Sequence, residues 1–294
     1  MRGEFERFRV ADGKAGPYGI TVGPDGGVWF TLVHAGEIGR LAADGSVRRF
    51  GTGSAASGPS VITTGPDGAL WYARMRDHRI GRIGTDGRER SFGLPTEAAG
   101  PYGIVAGPDG ALWFTELNAD RIGRITVDGR VTEYPLPVTG AFPSMITAGA
   151  DGALWFTLNQ AGAVGRITVD GEITVHPLPT EGAAPVGIAA GGDGALWFAE
   201  IGAGQVGRIT VDGRVTEHPL PDRAARPHAV AAAPDGRLWF TEWAGNRLGS
   251  LTADGHYAGY ELPVPAAEPH GIAVAPDGAV YAALELGEIV RLTP

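Results

Sequence analysis

Two carboxylates and two imidazoles are the side chains of this sequence best suited to chemistry. Glu268 and His270 flank Pro269, Glu285 follows fifteen residues after His270, and His228 precedes His270 by 42 residues. Paired carboxylates in a chain without cysteine suit a hard cation such as Mg²⁺, which keeps several waters and takes only one or two protein carboxylates. A histidine beside such an ion can act as a general base. The residues therefore indicate metal-assisted proton abstraction.

A repeat of 42 residues must position these side chains. A proline recurs at that interval, an Asp-Gly pair keeps the same spacing, and an aromatic residue follows each aspartate by four positions. Seven such repeats account for all 294 residues and indicate a single domain over residues 1–294. The repeat prolines are Pro17, Pro59, Pro101, Pro143, Pro185, Pro227 and Pro269.

Turn signals divide each repeat into four short strands. In the third repeat, β-favouring segments at 102–106, 111–116, 121–126 and 130–134 are separated by Asp-Gly turns and one loop. Helical periodicity is absent from the sequence pattern. Four antiparallel strands in about 40 residues are typical of a propeller blade. The sequence predicts an all-β, seven-bladed β-propeller.

Closure of the ring requires strands from both ends of the chain. Phe8 occupies the repeat position of Tyr134, an aromatic residue of a fourth strand. We therefore expect residues 4–10 to form the outer strand of the last blade, with the other three strands supplied by residues 269–294.

Positions that differ between repeats are candidates for function, because structural positions should recur. The residue after each repeat proline should face the mouth of the central channel. Alternation in an extended chain would place Glu268 on the same side as His270. Glu268 and Glu285 are the only carboxylates at their repeat positions. The predicted ring at the mouth contains Tyr18, Ser60, Tyr102, Ser144, Val186, His228 and His270.

The remaining polar positions are interpreted structurally. The turn aspartates should bond nearby backbone. A recurring arginine should form salt bridges or contact carbonyl groups, at Arg40, Arg82, Arg124, Arg166 and Arg208. His176 and His218 occupy an aromatic outer-strand position, and no role is assigned to His34, His78 or His256. A recurring glutamate after the second strand also favours a structural role, at Glu116, Glu200 and Glu242.

The repeat and the candidate residues resemble a known family. The segments Pro17-Tyr18-Gly19-Ile20, Arg226-Pro227-His228 and Glu268-Pro269-His270-Gly271-Ile272, together with Glu285, resemble the virginiamycin B lyase family of seven-bladed propellers. The resemblance extends over essentially the whole chain. It implies an antibiotic-resistance enzyme that opens type B streptogramins, which are cyclic depsipeptides, by Mg²⁺-dependent elimination at the ester.

The resemblance also implies roles for individual residues. His270 would be the proton acceptor, Glu268 and Glu285 would bind Mg²⁺, and His228 would contact the substrate. Tyr18 is a further candidate for substrate binding from its place at the mouth, where Tyr18 and Tyr102 could stack on a substrate ring or form only the channel wall. Mn²⁺ fits the same ligands as Mg²⁺.

Two other functions remain open from the sequence. A hydrolase of the lactonase type could hold a divalent cation at a propeller mouth, and its product would gain one water. A non-catalytic propeller could bind a protein or glycan on the same face, since fold does not determine function.

Charge and composition limit the partners. The net charge of −9 provides no basic field for nucleic acid or anionic lipid. The first residues contain no apolar signal segment, and no apolar stretch approaches the length of a membrane helix. We expect a cytoplasmic protein, and a closed ring with few free edges predicts a monomer.

Overall fold

The fold consists of short strands joined by tight turns. The computed structural model describes residues 4–294, so Met1, Arg2 and Gly3, which the sequence assigns to the same domain, lie outside the described residues. All regular elements between residues 4 and 294 are β-strands, arranged in seven four-stranded antiparallel sheets. None of the described residues forms a helix that is long and apolar enough to cross a membrane. The predicted seven-bladed propeller is confirmed.

The strands follow the repeat along the chain. Blade 1 contains β2 (Pro17–Val22), β3 (Val28–Leu32), β4 (Glu37–Leu41) and β5 (Val47–Gly51). Blade 2 contains β6 (Pro59–Thr64), β7 (Leu70–Arg74), β8 (Arg79–Ile83) and β9 (Glu89–Gly93). Blade 3 contains β10 (Pro101–Ala106), β11 (Leu112–Glu116), β12 (Arg121–Ile125) and β13 (Val131–Pro135). Blade 4 contains β14 (Pro143–Ala148), β15 (Leu154–Leu158), β16 (Ala163–Ile167) and β17 (Ile173–Pro177).

The last three blades continue this order. Blade 5 contains β18 (Pro185–Ala190), β19 (Leu196–Glu200), β20 (Gln205–Ile209) and β21 (Val215–Pro219). Blade 6 contains β22 (Pro227–Ala232), β23 (Leu238–Glu242), β24 (Arg247–Leu251) and β25 (Tyr257–Glu261). Blade 7 contains β26 (Pro269–Val274), β27 (Val280–Leu284) and β28 (Glu288–Thr293), and its fourth strand is β1 (Glu4–Arg9).

Both chain ends contribute to blade 7, as the sequence predicted. Strand β1 pairs antiparallel with β28, in a register that places Phe8 opposite Ile289. The guanidinium of Arg7 donates to both carboxylate oxygens of Glu288, at 2.9 and 2.8 Å. The ring is therefore closed by backbone pairing and by a bidentate ion pair, a strong form of charged hydrogen bond.

The core lies between neighbouring blades, where the repeated tryptophan is buried. Trp113 of blade 3 packs with Ile146 and Leu154 of blade 4. Its indole nitrogen donates to Asp109 Oδ1 at 3.0 Å, and Arg124 donates to Asp109 Oδ2 at 2.7 Å. Asp109 Oδ1 also accepts from the backbone N–H of Ala111 at 3.3 Å, so the predicted backbone contact of the turn aspartate and the predicted salt bridge of the recurring arginine are confirmed here. His176 and His218 also have the expected packing role, since they stack on Trp155 and Trp197.

The innermost strand of every blade starts with an irregularity that serves the channel mouth. In blade 7, the pairing of β26 with β27 shifts between Pro269 and Ile272, so His270 and Gly271 form a bulge. A Cβ atom at Gly271 would lie 2.3 Å from the carbonyl oxygen of Tyr18. Gly271 therefore lets the inner strands of blades 7 and 1 approach closely. The bulge changes the direction of the His270 side chain, a frequent use of bulges near functional sites.

Candidate active site

Four aromatic side chains from the predicted ring meet at the mouth of the channel. The ring centroid of Tyr18 lies 4.5 Å from that of His270, 6.1 Å from that of His228 and 6.3 Å from that of Tyr102. The two imidazoles are 5.2 Å apart. The structure thus brings His228, His270 and Tyr18 together, although they come from three different blades.

A threonine of blade 6 holds the two histidine-bearing strands in place. Thr241 Oγ1 accepts a hydrogen bond from the backbone N–H of Ala229 at 3.0 Å and donates to the carbonyl of His270 at 2.9 Å. Thr31 and Thr115 form equivalent bridges between other pairs of inner strands. The backbone that carries His270 is therefore fixed by the same device that joins other blades.

The imidazole of His270 is paired with the carboxylate of Glu285. Nε2 of His270 lies 2.8 Å from Oε2 of Glu285. Burial would raise the pKa of Glu285, but hydrogen bonds from His270 and His34 outweigh it and lower the pKa to about 2. An ionised carboxylate can only accept. Nε2 therefore carries a hydrogen, and Nδ1 of His270 is buried without a hydrogen-bond partner among residues 4–294.

Alternation in an extended chain was expected to place Glu268 on the side of His270, but the structure positions Glu268 in another way, beside Glu285. Glu268 precedes β26 with a φ of +46°, in the left-handed region, so the alternation of an extended chain does not place it. The backbone N–H of Glu285 instead donates to the carbonyl of Glu268 at 3.3 Å. A side-chain hydrogen bond with Glu285, slight burial and the neighbouring charge raise the pKa of Glu268, although its side chain is exposed.

The position of Glu268 has a left-handed backbone in all seven repeats. The first three blades use glycine there, whereas the last four use residues with a Cβ atom, for which this conformation is unfavourable by about 1–2 kcal/mol. Such strain clusters at functional sites. The seven residues are Gly16, Gly58, Gly100, Phe142, Ala184, Arg226 and Glu268, with φ between 46° and 65°.

The carboxylates of Glu268 and Glu285 fit a divalent cation such as Mg²⁺. In the part of the chain that the structure describes, no group of three or more His, Asp or Glu side chains is arranged to hold a metal ion. Magnesium, however, needs only one or two carboxylates, because waters and substrate oxygens complete its shell. Each oxygen of Glu285 has a second acceptor position beyond its bond to an imidazole. The hard oxygen donors therefore suit Mg²⁺ or Mn²⁺.

His228 and the two tyrosines are uncharged near neutral pH. Burial, followed by the repulsion that two protonated imidazoles would feel beside each other, lowers the pKa of His228 to about 3. Burial also raises the pKa of Tyr102, and that of Tyr18 well above its ordinary value. The two phenolic oxygens are 2.5 Å apart, so one hydroxyl donates to the other. These groups offer neutral donors, acceptors and ring faces to a ligand.

A cavity of about 210 Å³ opens at the mouth next to these residues. Its lining includes Tyr18, His34, Arg76, His270 and Glu285. His270, the candidate base, and Glu285, a candidate metal ligand, therefore line the same cavity.

His34 is a site residue that the sequence analysis missed. Its Nε2 lies 3.1 Å from Oε1 of Glu285, and its Nδ1 lies 3.2 Å from a guanidinium nitrogen of Arg76. The available signal was its place directly after Val33, which occupies in blade 1 the repeat position of Glu285. Because blade 1 adjoins blade 7 in the closed ring, these equivalent loops are neighbours.

The fold and the site together define a seven-bladed β-propeller with a carboxylate–histidine centre at the mouth of its axial channel. Carboxylates, a paired imidazole and neutral polar rings converge there, whereas the rest of the ring repeats packing contacts. Comparison with known proteins identifies the family.

The family model described as the virginiamycin B lyase family matches residues 3–292. The chain therefore belongs to the virginiamycin B lyase family, and the resemblance noted in the sequence is confirmed. A virginiamycin B lyase of Saccharopolyspora erythraea is 60% identical over 42 residues, which are 14% of this chain and 14% of that protein. One of Streptomyces coelicolor is 59% identical over 37 residues, 13% of this chain and 12% of that protein. These matches thus span only a small part of the relatives' length.

Solved structures match along the whole chain. A streptogramin B lyase structure is 42% identical, covers 99% of this chain and 97% of its own, and has a TM-score of 0.96. The catalytically inactive H270A virginiamycin B lyase from Staphylococcus aureus with quinupristin is also 42% identical, with coverage of 99% and 100% and a TM-score of 0.95. The names of these relatives agree with the lyase expected from the sequence.

Proposed function

We propose that this protein is a streptogramin B lyase that linearises cyclic depsipeptides by elimination at the ester. The observation that carries the proposal is the pairing of His270 with Glu285, 2.8 Å apart, beside Glu268 at the mouth of the channel. Membership of the family supports it, as does the related lyase from Staphylococcus aureus whose structure contains quinupristin.

The chemistry of the ester explains why a base is needed and water is not. In a lactone closed through a threonine side chain, the ester oxygen is attached to the β-carbon. Removal of the α-proton forms the Cα=Cβ double bond, and the Cβ–O bond breaks with its electron pair leaving on the carboxylate. All atoms of the substrate remain in the linear product.

In this proposal His270 takes the α-proton on Nδ1, the nitrogen that still has a free lone pair, because Nε2 already carries the hydrogen that it donates to Glu285. The carboxylate of Glu285, 2.8 Å from Nε2, orients the imidazole and stabilises the imidazolium that forms. Thr241 donates to the carbonyl of His270 and so fixes the backbone that carries the imidazole. The ring can therefore be oriented through its side-chain torsions while the strand stays in place. General base catalysis by a positioned side chain contributes roughly 10²–10⁴-fold to the rate.

Glu268 and Glu285 would hold Mg²⁺. When bound, the ion supplies a Lewis acid that neutralises negative charge on the substrate oxygens. A side-chain hydrogen bond with Glu285, followed by slight burial and the charge of Glu285, raises the pKa of Glu268. A cation held by both carboxylates would offset the repulsion between their charges. Magnesium use, like the monomeric state and the cytoplasmic location, stays a prediction.

His228 and Tyr18 would bind the substrate. His228 is neutral because its pKa is lowered to about 3 by burial, and its Nδ1 has no partner among residues 4–294. A buried polar atom without a partner is unusual in a folded protein, and a substrate group can satisfy it. Tyr18 contributes a protonated phenol and an aromatic face next to His270.

Metal-dependent turnover of a type B streptogramin tests the proposal. The purified protein, freed of metal with a chelator, is expected to leave the antibiotic cyclic, and added Mg²⁺ or Mn²⁺ should restore ring opening. The new double bond conjugated to a carbonyl can be followed by ultraviolet absorbance. Unchanged activity in excess chelator would contradict the metal role of Glu268 and Glu285, and absence of any turnover with metal present would contradict the proposed function.

A further inference from the structure

The carboxylate of Glu285 is held between two imidazoles rather than one. Oε2 lies 2.8 Å from Nε2 of His270, and Oε1 lies 3.1 Å from Nε2 of His34. A single hydrogen bond leaves a carboxylate free to rotate about its last torsion, because that torsion is broad. Two bonds on different oxygens fix its plane.

Arg76 determines which nitrogen of His34 carries the hydrogen. A guanidinium nitrogen of Arg76 lies 3.2 Å from Nδ1 of His34. Guanidinium has donors only, so Nδ1 of His34 must accept. The hydrogen of the ring is then on Nε2, which donates to Glu285. The result is a directed chain from Arg76 to His34 to Glu285.

This chain of hydrogen bonds exists because the ring is closed. Glu285 follows β27 in blade 7, His34 follows β3 in blade 1, and Arg76 follows β7 in blade 2. The loop after β27 has three residues where that after β3 has four, so the turn of blade 7 differs from its neighbours. His34 and Arg76 occupy the same repeat position in adjacent blades, and the other blades have Asn118, Gln160, Gly202, Ala244 and Leu286 there.

Gly16 makes room for the imidazole of His34. Its φ is +65°, and a Cβ atom there would lie 2.5 Å from Cδ2 of His34. Gly16 is the counterpart of Glu268 in blade 1. The position that provides a candidate metal ligand in blade 7 thus provides space for His34 in blade 1.

We propose that His34 is a positioning residue of the active site, which fixes the carboxylate of Glu285 through an Nε2–H hydrogen bond whose tautomer is selected by Arg76. His34 does not act on the substrate itself. It presents one oxygen of Glu285 to His270 and leaves the outer acceptor positions in place for a cation. The roles of Glu285 as a metal ligand and as the partner of His270 rest on the proposed function.

Two amide substitutions separate this role from simple packing. In His34→Gln the amide nitrogen reaches the place of Nε2 and can still donate to Glu285. In His34→Asn the amide ends near the place of Nδ1, so it can meet Arg76 but not Glu285. His34→Leu removes both contacts at similar volume. The expected order is therefore that Gln retains function while Asn and Leu lose it.

The readouts are kcat, KM and the affinity for Mn²⁺ measured by electron paramagnetic resonance without substrate. We expect the Asn and Leu variants to lose about 10- to 100-fold in kcat or in Mn²⁺ affinity, the range for loss of a partner of a metal ligand, with little change in KM. The Gln variant should stay close to wild type. Equal behaviour of all three variants and the wild type, or a Gln variant as impaired as Leu, would overturn the positioning role.

The tautomer of His34 provides a test that does not depend on activity. Nitrogen-15 NMR of the wild-type protein should show hydrogen on Nε2 of His34 and a free lone pair on Nδ1, and Arg76→Met should weaken that preference. A hydrogen on Nδ1 in the wild type would overturn the inference. If the wild type neither opens a streptogramin nor binds Mn²⁺, the proposed function fails, and the tautomer alone then supports or overturns the role of His34.

Discussion

The repeat has different consequences at the two edges of the propeller, which are the face that carries the Asp-Gly turns and the face that carries the mouth of the channel. At the edge of the Asp-Gly turns, five blades repeat one ion pair between the turn aspartate and the recurring arginine, with distances of 2.6 to 2.8 Å. At the mouth, the residue after the repeat proline varies among the blades and is Tyr, Ser, Val or His. Repetition therefore marks packing and stability, whereas a change of side chain on a repeated position marks chemistry.

The backbone at the mouth is nevertheless as regular as that of the turn edge. The N–H of Glu285 donates to the carbonyl of Glu268, and Val33 with Gly16 and Trp243 with Arg226 do the same in their blades. A left-handed residue precedes every inner strand. The mouth thus offers seven equivalent positions, and the site is built by filling those of blades 6, 7 and 1 with reactive side chains.

The largest effect should come from replacing the candidate base. His270→Ala is expected to lower kcat by about 10²–10⁴-fold, because the α-proton loses its acceptor. The variant should keep the propeller fold, since the bulge and the carbonyl contact with Thr241 involve only backbone of His270. Retained turnover would remove His270 from the role of base.

A buried glutamate at the mouth edge should affect stability but not turnover. Both carboxylate oxygens of Glu116 in blade 3 are buried without a partner among residues 4–294, and burial, with a contribution from Glu133, raises its pKa from 4.5 to about 8. The folded state therefore prefers the protonated form. Its contribution to stability is full below pH 4.5 and is lost as the pH rises through 8.

Glu116→Gln should remove this pH dependence. At pH 9 the variant is expected to exceed the wild type in free energy of unfolding by on the order of 4 kcal/mol, with no such gain at pH 5. Denaturant titration at the two pH values measures it. Glu242→Gln is the matched control in blade 6, where Arg247 and Tyr257 bond the carboxylate, and it should destabilise at both pH values. Parallel profiles for Glu116→Gln and the wild type would contradict the account.

Removing one turn aspartate should have a moderate effect of the same size in different blades. Asp109→Ala loses the hydrogen bonds from Trp113 and Arg124, which should lower the free energy of unfolding by about 1–3 kcal/mol. Asp151→Ala loses the equivalent pair and should match it. Turnover of either folded variant should equal that of wild type. A fall in kcat at unchanged stability would break the contrast between the two edges.

The smallest effect on stability should come from the left-handed position. Ala184→Gly and Glu268→Gly each relieve a φ near +47°, and both should gain about 1 kcal/mol in free energy of unfolding. Turnover should fall only in Glu268→Gly. Thermal unfolding and turnover of the pair separate the two consequences, and loss of activity in Ala184→Gly would contradict a site to which blade 5 contributes no reactive side chain.

The sequence alone predicted the ring, its closure and the meeting of His228, His270 and Tyr18. This succeeded because each blade is a local hairpin meander whose turns recur every 42 residues, and because one aromatic position links Phe8 to the outer strands. Residues at the same repeat position occupy equivalent places in their blades. The ring arrangement of seven equivalent blades therefore determines which side chains of different blades meet at the channel mouth.

Two features of the site were beyond that reasoning. Alternation assumes extended backbone, and Glu268 lies in a left-handed turn, a conformation that the glycines at Gly16, Gly58 and Gly100 could have signalled. His34 contacts Glu285 across the seam between blades 7 and 1. Contacts between side chains of neighbouring blades depend on rotamers and loop length, and the repeat pattern specifies neither.

The mass of the product tests the central claim most directly. Purified protein with Mg²⁺ should convert a type B streptogramin into a linear product of the same mass as the substrate, because elimination consumes no water. A product heavier by one water would identify a hydrolase at the same mouth. An antibiotic that remains cyclic with metal present would contradict catalysis by His270, Glu268 and Glu285.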